Sequence, residues 1–221
     1  MKTAICLLSG GLDSATVLYY ARSKGYRCLC LSFDYGQRHK REIKAAKAIA
    51  SKAKCAWRLI KIDLPWKGSS LLDRAQKIPS GRSGRFTAAE GIPNTYVPAR
   101  NIIFLSFAVS YAEAAGAEAV FIGANAVDYS GYPDCRPEFF RAFKNVIKKG
   151  TKKGSGIEIS APLIDKSKKE IVKLAHRLKA PVELTWSCYK GAKRPCGVCD
   201  SCALRAAGFK DAGIKDGALR G

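Results

Sequence analysis

The sequence predicts an α/β protein: a doubly wound, mostly parallel sheet with a cysteine-rich segment at its C-terminal end. Three observations lead there. Short continuous apolar runs such as "TAICLL" (3–8) recur along the chain, as expected of strands buried on both faces of a parallel sheet. Segments with apolar residues at helical spacing separate them, so strands and helices alternate. The first apolar run also breaks into "SGGLDS" (9–14), two glycines and a polar opening, where a strand must turn into a helix.

The elements follow in order. After the strand at 3–8, a helix over 13–24 places Ala15, Leu18, Tyr19 and Arg22 at helical spacing. "RCLCLSFDY" (27–35) repeats the strand signal, and an alanine-rich helix over 39–54 sets Ile43, Ala46, Ile49 and Ala50 on one face. "AWRLIKIDL" (56–64) reads as a third strand. Residues 65–97 break the rhythm with Pro65, Gly68, Pro79, Gly81, Gly84, Gly91 and Pro93, and read as a mobile, loop-rich functional insertion. A helix at 99–116, a strand at 118–123, a helix near 137–149, a strand at 157–161 and a helix at 166–179 complete the alternation. The chain thus divides into a main domain over 1–184 and a cysteine-bearing segment over 185–221 packed on it. In such sheets ligands bind beyond the carboxyl ends of the strands.

Bulk composition narrows the class. With 221 residues, 47% apolar and 26% charged, the chain is an ordinary globular length and composition. No stretch reads as a membrane span, and the first apolar run is too short for a signal-peptide core, so a cytoplasmic location is expected. A formal charge of +21 invites a nucleic-acid reading, but the basic residues are spread along the chain, with only a mild block over 141–153. Direct nucleic-acid binding is not expected.

The glycine-serine turn suits an anion. Backbone N–H groups at a helix start are unpaired and partly positive, Gly10 and Gly11 let a phosphate approach the backbone, and Ser9 and Ser14 offer hydroxyl donors. Asp13 is placed either to cap the helix or to hold the Mg2+ of a nucleotide. The Gly-Lys-Ser/Thr of a P-loop and the third glycine of a dinucleotide fingerprint are both absent. "SGGLDS" instead resembles the "SGGxDS" pyrophosphate loop of the ATP pyrophosphatases, enzymes that split ATP between its α- and β-phosphates and adenylate an oxygen of the substrate.

Eight of the nine cysteines fall into two groups. Cys6, Cys28, Cys30 and Cys55 sit in apolar segments, as small buried hydrophobes do. Cys188, Cys196, Cys199 and Cys202, spaced C-x7-C-x2-C-x2-C, read as the four ligands of a structural Zn2+, with an iron–sulfur cluster as the alternative. Lys190, Lys193, Arg194 and Arg205 are positioned in sequence to offset the charge of four thiolates.

Three more stretches complete a resemblance: "FDYGQRHKREI" (33–43), "TYVPARNIIFLSFA" (95–108) and "GANAVDYSGYPDCRPEF" (123–139). With the loop and the four cysteines, they resemble the 7-cyano-7-deazaguanine synthase family of the queuosine and archaeosine precursor pathway, in order and over nearly the whole chain. The resemblance implies an adenine nucleotide alpha hydrolase-like fold and a ligase that converts 7-carboxy-7-deazaguanine and ammonia into the nitrile. ATP with Mg2+ would adenylate the carboxylate and then the intermediate amide. It puts the ATP segment on Leu8, Ser9, Gly10, Gly11, Leu12, Asp13, Ser14, Ala15, Thr16, Val17 and Leu18, and zinc on the four cysteines. No room remains for a glutaminase domain, so free ammonium is the implied nitrogen donor. A homodimer is compatible with this reading.

Residue chemistry supplies further candidates. Asp134 or Asp128 suits the paired N–H donors of a guanine-like ring, Arg100 or Arg136 a carboxylate or adenylate phosphate, and Tyr129 and Tyr132 the face of the base. Asp13, Ser14, Arg100, Asp134 and Arg136 therefore form the expected catalytic set. His39 stands at a strand-to-helix junction within reach of a phosphate, His176 reads as an ordinary helix residue, and Cys135 as a packed thiol rather than a nucleophile. Two rival functions are tRNA thiolation through the same ATP loop and a non-enzymatic zinc-ribbon protein that binds nucleic acid; the second leaves "SGGLDS" and the sheet unexplained.

Overall fold

The computed structural model describes residues 1–80, 91–127, 131–152 and 156–219. Five strands, β1 (Thr3–Leu7), β2 (Arg27–Asp34), β3 (Ala56–Lys61), β4 (Ala119–Phe121) and β5 (Glu158–Ser160), form one sheet in the order β3-β2-β1-β4-β5. Every pairing is parallel, with Cys6 opposite Cys30 and Phe121 on its two sides. Helices α1 (Leu12–Ser23), α2 (Arg41–Lys52), α3 (Arg100–Ala115), α4 (Pro137–Gly150), α5 (Lys168–Arg177) and α6 (Asp200–Ala212) complete the α/β architecture that the alternation predicts.

Alternation along the central strand divides the core. Ala4 and Cys6 of β1 turn to one face, where they meet Leu12, Leu18, Ile49, Ile171 and Phe209 from α1, α2, α5 and α6. Ile5 and Leu7 turn to the other, against Leu105 of α3 and Phe140, Phe143 and Ile147 of α4. Period-two alternation with both faces covered makes β1 a continuous apolar run. Cys6, Cys28 and Cys30 are buried as small hydrophobes, while Cys55 is half-buried at the edge of the same core.

Helix α6 has no counterpart in the sequence reading. Its buried positions include Asp200, Ser201, Arg205 and Gly208, so no apolar stripe marks it. Arg205 is buried and paired through Nε and Nη2 with Asp216, at 2.6 and 2.8 Å. It also donates to Thr185 Oγ1 at 2.8 Å, and is therefore committed to the fold rather than to the cysteines.

The chain order fixes the position of the site. From β1 the chain moves outward through β2 and β3, then returns past β1 to β4 and β5. The carboxyl ends of β1 and β4 thus border the switch point, where a crevice opens in a doubly wound sheet.

Candidate active site

A cleft of about 270 Å³ lies at that switch point. Leu8, Ser9, Gly11, Leu12, Asp13 and Ser14 line it from the end of β1 and the start of α1. Gly123 and Asn125 face them from the end of β4, and Tyr35, Gln37 and Glu42 from the β2–α2 side. Of the expected ATP segment, Gly10 and the residues from Ala15 to Leu18 are not in the lining: Ala15, Val17 and Leu18 are core, and Thr16 Oγ1 donates to the Leu12 carbonyl at 2.8 Å.

Two glycines permit the close approach of three segments. Gly10 has φ +90°, and a Cβ there would collide with the backbone carbonyl of Glu42 at the start of α2. A Cβ on Gly123 would lie 2.9 Å from the Ser14 nitrogen, so the β4 loop rests directly on the first turn of α1. The loop's hydroxyls form a closed set: Ser9 Oγ donates to Ser14 Oγ at 3.0 Å, and Ser14 Oγ lies 3.1 Å from the Gly11 carbonyl. Gly11 N–H donates to Ser9 Oγ at 3.3 Å. These bonds fix the loop, and the unpaired amides at the start of α1 give it the geometry that suits an anion, hence the term anion cradle.

Asp13 does not cap α1. Gly11 occupies the cap position without a side-chain bond, and both Asp13 oxygens accept from Lys168 Nζ, at 2.9 and 2.8 Å. Lys168 opens α5, whose Ser167–Glu170 capping box fixes the first turn. The lysine stem crosses α6 at Gly208, where any Cβ would collide with it. Sequence reasoning did not single out Lys168, although the S-K-K-E capping box at 167–170 marks the helix start that positions it.

The remaining candidates separate. Arg100 lines the cleft at the start of α3, with Nη1 3.3 Å from the Tyr35 hydroxyl. Tyr132 also lines it, its hydroxyl 2.5 Å from Thr95 Oγ1. Asp134 is buried outside the lining: its Oδ2 accepts the Asn101 backbone N–H at 2.9 Å, which satisfies the start of α3. Burial pushes its carboxyl above the usual carboxylate range. Arg136 occupies the cap position of α4 without a side-chain capping bond and is likewise outside the lining. Asp128 and Tyr129 lie outside the described residues. Cys135 lines the cleft, but burial pushes its thiol up to about 12, so it is protonated and poorly nucleophilic at neutral pH.

The structure adds lining groups with no sequence signal of their own. Phe33 of β2 and Phe104 of α3 stack with centroids 4.0 Å apart and give the cleft an aromatic wall. Glu42 brings a carboxyl group into the cleft beside Arg100 and Gln37, and burial pushes it up to about 7. Part of the 65–97 insertion reaches the cleft too, since Leu71 lines it and Arg38 N–H donates to the Leu71 carbonyl at 3.1 Å. His39 lines the cleft with its ring edge toward Trp186, and His176 is exposed on α5.

The four expected metal ligands converge. The sulfurs of Cys188, Cys196, Cys199 and Cys202 all lie within 4.8 Å of one another. Backbone N–H groups of Lys190 and Cys196 donate to Cys188 Sγ at 3.4 and 3.3 Å, and that of Cys199 to Cys196 Sγ at 3.3 Å. Amide donors to sulfur favour the thiolate, so the donor set suits a divalent metal with tetrahedral preference. The cluster is tied to the anion cradle: Trp186 N–H donates to the Gly10 carbonyl at 2.9 Å, and its indole N–H to the Cys188 carbonyl at 2.8 Å.

A parallel five-stranded sheet with a glycine-serine turn at its switch point defines the chain as a doubly wound α/β protein. In fold the chain is similar to NMN synthetase from Francisella tularensis (TM-score 0.51, 15% identity, 97% of this chain and 78% of that one). It is equally similar to a predicted tRNA methyltransferase subunit from Methanocaldococcus jannaschii (TM-score 0.51, 15% identity, 80% and 75%). At that identity the likeness concerns fold alone. The particular family is defined by sequence: the family described as "Queuosine biosynthesis protein QueC" matches residues 3–213, and the chain belongs to it. Relatives named 7-cyano-7-deazaguanine synthase are 53% identical in Thermoplasma volcanium (97% of this chain, 89% of the relative) and 52% in Nostoc punctiforme (96% and 97%). Among the described residues no helix is long and apolar enough to cross a membrane.

Proposed function

We propose that this chain is a cytoplasmic 7-cyano-7-deazaguanine synthase, which makes the nitrile from 7-carboxy-7-deazaguanine, ammonium and two molecules of ATP. One observation carries the reading: more than half its residues are shared, over 97% of its length, with a relative of that name. The cleft supports it chemically. The ATP phosphates are to lie on the α1 amides between Ser9 and Ser14, with Lys168 balancing their charge. Mg2+ accompanying the nucleotide would neutralise the pyrophosphate, with Asp13 as its candidate ligand. Arg100 is the cleft cation for the substrate carboxylate, and the Phe33–Phe104 wall with Tyr132 suits a flat bicyclic base. Asp134, outside the lining, is assigned to positioning α3 beside that base. Zinc on the four cysteines, with no open coordination position, would supply structure rather than chemistry.

In the first round the substrate carboxylate attacks the α-phosphorus and pyrophosphate leaves; ammonia then displaces AMP to give the amide. In the second, the amide oxygen is adenylated and leaves with AMP as the nitrogen gives up its protons. Thiolation of tRNA would need a reactive cysteine in the cleft, and the protonated Cys135 weighs against it. The test is incubation with ATP, Mg2+, ammonium and 7-carboxy-7-deazaguanine. AMP, pyrophosphate and the nitrile are expected by mass spectrometry, and zinc-loaded protein that yields none of them would refute the reading.

A further inference from the structure

An ammonium ion entering this cleft meets an unfavourable field. Arg38, Arg100 and Lys168 line it as cations, while the charge of Arg205 is met by Asp216; this suits a nucleotide polyanion and repels a cation. Two carboxylates stand against them among the described lining residues, Asp13 and Glu42. Asp13 gives both oxygens to Lys168. Glu42 is differently placed. It lies in the first turn of α2, its backbone held against Gly10 of the anion cradle by the close approach at that glycine. The charged and titratable groups facing it are Arg100 from α3 and Tyr35 from the segment after β2; Gln37 stands beside it, its amide bonded to the Tyr35 N–H and the Phe33 carbonyl, and the Gly10 loop presents backbone only.

We propose that Glu42 is the catalytic residue for the nitrogen donor: its carboxylate holds ammonium beside the activated substrate and takes the proton that frees the nucleophile. The inference rests on the ammonium-dependent ligase reading above. Ammonium has no lone pair, so one N–H bond must break before a C–N bond can form. In the step assigned here the proton passes from nitrogen to a Glu42 oxygen, and the freed electron pair attacks the acyl carbon. The C–O bond to AMP then breaks with its electrons, and the second nitrogen proton leaves with the AMP phosphate. Glu42 returns its proton to water before the next turnover. A carboxyl group held near 7 by burial, against the opposing pull of Arg100 and Gln37, is matched to accepting a proton at neutral pH.

The test separates adenylation from amidation in the full-length, zinc-loaded protein. Exchange of labelled pyrophosphate into ATP, with the deazaguanine acid present and ammonium absent, reads adenylation alone. Glu42→Gln should keep that exchange, while kcat/KM for ammonium falls by about 10²-fold and loses its pH dependence near neutrality. Hydroxylamine, neutral at this pH and needing no base, should restore acyl transfer in the variant as the hydroxamate. Glu42→Asp should retain part of the ammonium-dependent rate. Loss of exchange together with amidation, or a raised KM for the acid with unchanged ammonium dependence, would overturn the proposal and assign Glu42 to binding the base. Wild-type protein without either exchange or nitrile would overturn the ligase reading and this proposal together.

Discussion

Lys168 Nζ stands 2.9 and 2.8 Å from the two carboxylate oxygens of Asp13, joining the first turn of α5 to the first turn of α1 across 155 residues of sequence. The side chains are 11% and 20% exposed, so the pair is poorly screened by solvent. It holds one lysine and one carboxylate in register at the mouth of the anion cradle, where incoming phosphate would compete for the ammonium group.

Lys168→Met should therefore act on chemistry more than on folding. The orphaned Asp13 keeps some contact with water, and the expected destabilisation is about 1–2 kcal/mol. Pyrophosphate exchange should fall by about 10²-fold or more, as for loss of a preorganised electrostatic contact. Denaturant titration and exchange on the same preparation check both. Equal exchange in variant and wild type would remove Lys168 from the nucleotide site.

This pair also shows where sequence reasoning ends. β1, the glycine-serine turn and the four cysteines were legible because each is a local signal: an apolar run, a turn chemistry, a ligand spacing. Lys168 and Glu42 were not, because what matters is which segments meet, and charged residues in the first turns of α5 and α2 look like ordinary solvated positions. Asp134 was legible as a carboxylate near the site, but its destination, the Asn101 N–H, depends on where α3 begins. Helix α6 escaped for a related reason: Arg205 and Asp200 are buried on it, which removes the amphipathic stripe that periodicity detects.

Glycines provide a second prediction through contrast. Gly10 and Gly116 both have positive φ, +90° and +63°, but a Cβ on Gly116 meets nothing within 4 Å, whereas one on Gly10 collides with Glu42 backbone. Gly116→Ala should cost about 1 kcal/mol and leave turnover intact. Gly10→Ala carries the same conformational strain plus a collision that separates α2 from the cradle; at least about 2 kcal/mol and most of the activity should be lost. Thermal unfolding and steady-state rates of the two variants check the difference.

The link from Trp186 to Gly10 makes a third prediction, on metal removal. Zinc should be found at one per chain, and Cys196→Ser or a strong chelator should lower the unfolding temperature, since metal binding and folding are coupled. The same treatment should raise the KM for ATP before the protein unfolds, because the strand of chain between Trp186 and Cys188 steadies the cradle carbonyl. Metal analysis against KM for ATP during chelator titration reads this directly; an unchanged KM in metal-free, folded protein would uncouple the two sites.

Glu42 yields a prediction about stability that is independent of turnover. Its carboxyl is raised from an ordinary 4.5 to about 7 in the folded protein, burial being the main cause. A raised value means the folded state binds the proton more tightly than the unfolded chain does. The stabilising contribution is thus complete below pH 4.5 and is lost as pH rises through about 7. Between pH 5 and pH 8 wild-type stability should fall relative to Glu42→Gln, which stays neutral, by up to about 3 kcal/mol. Taking the difference between the two proteins cancels every other titrating group, including the cysteines. Denaturant midpoints at the two pH values give the measurement. A constant difference across that range would mean that Glu42 ionises as in the unfolded chain, and that the cleft holds it in contact with water.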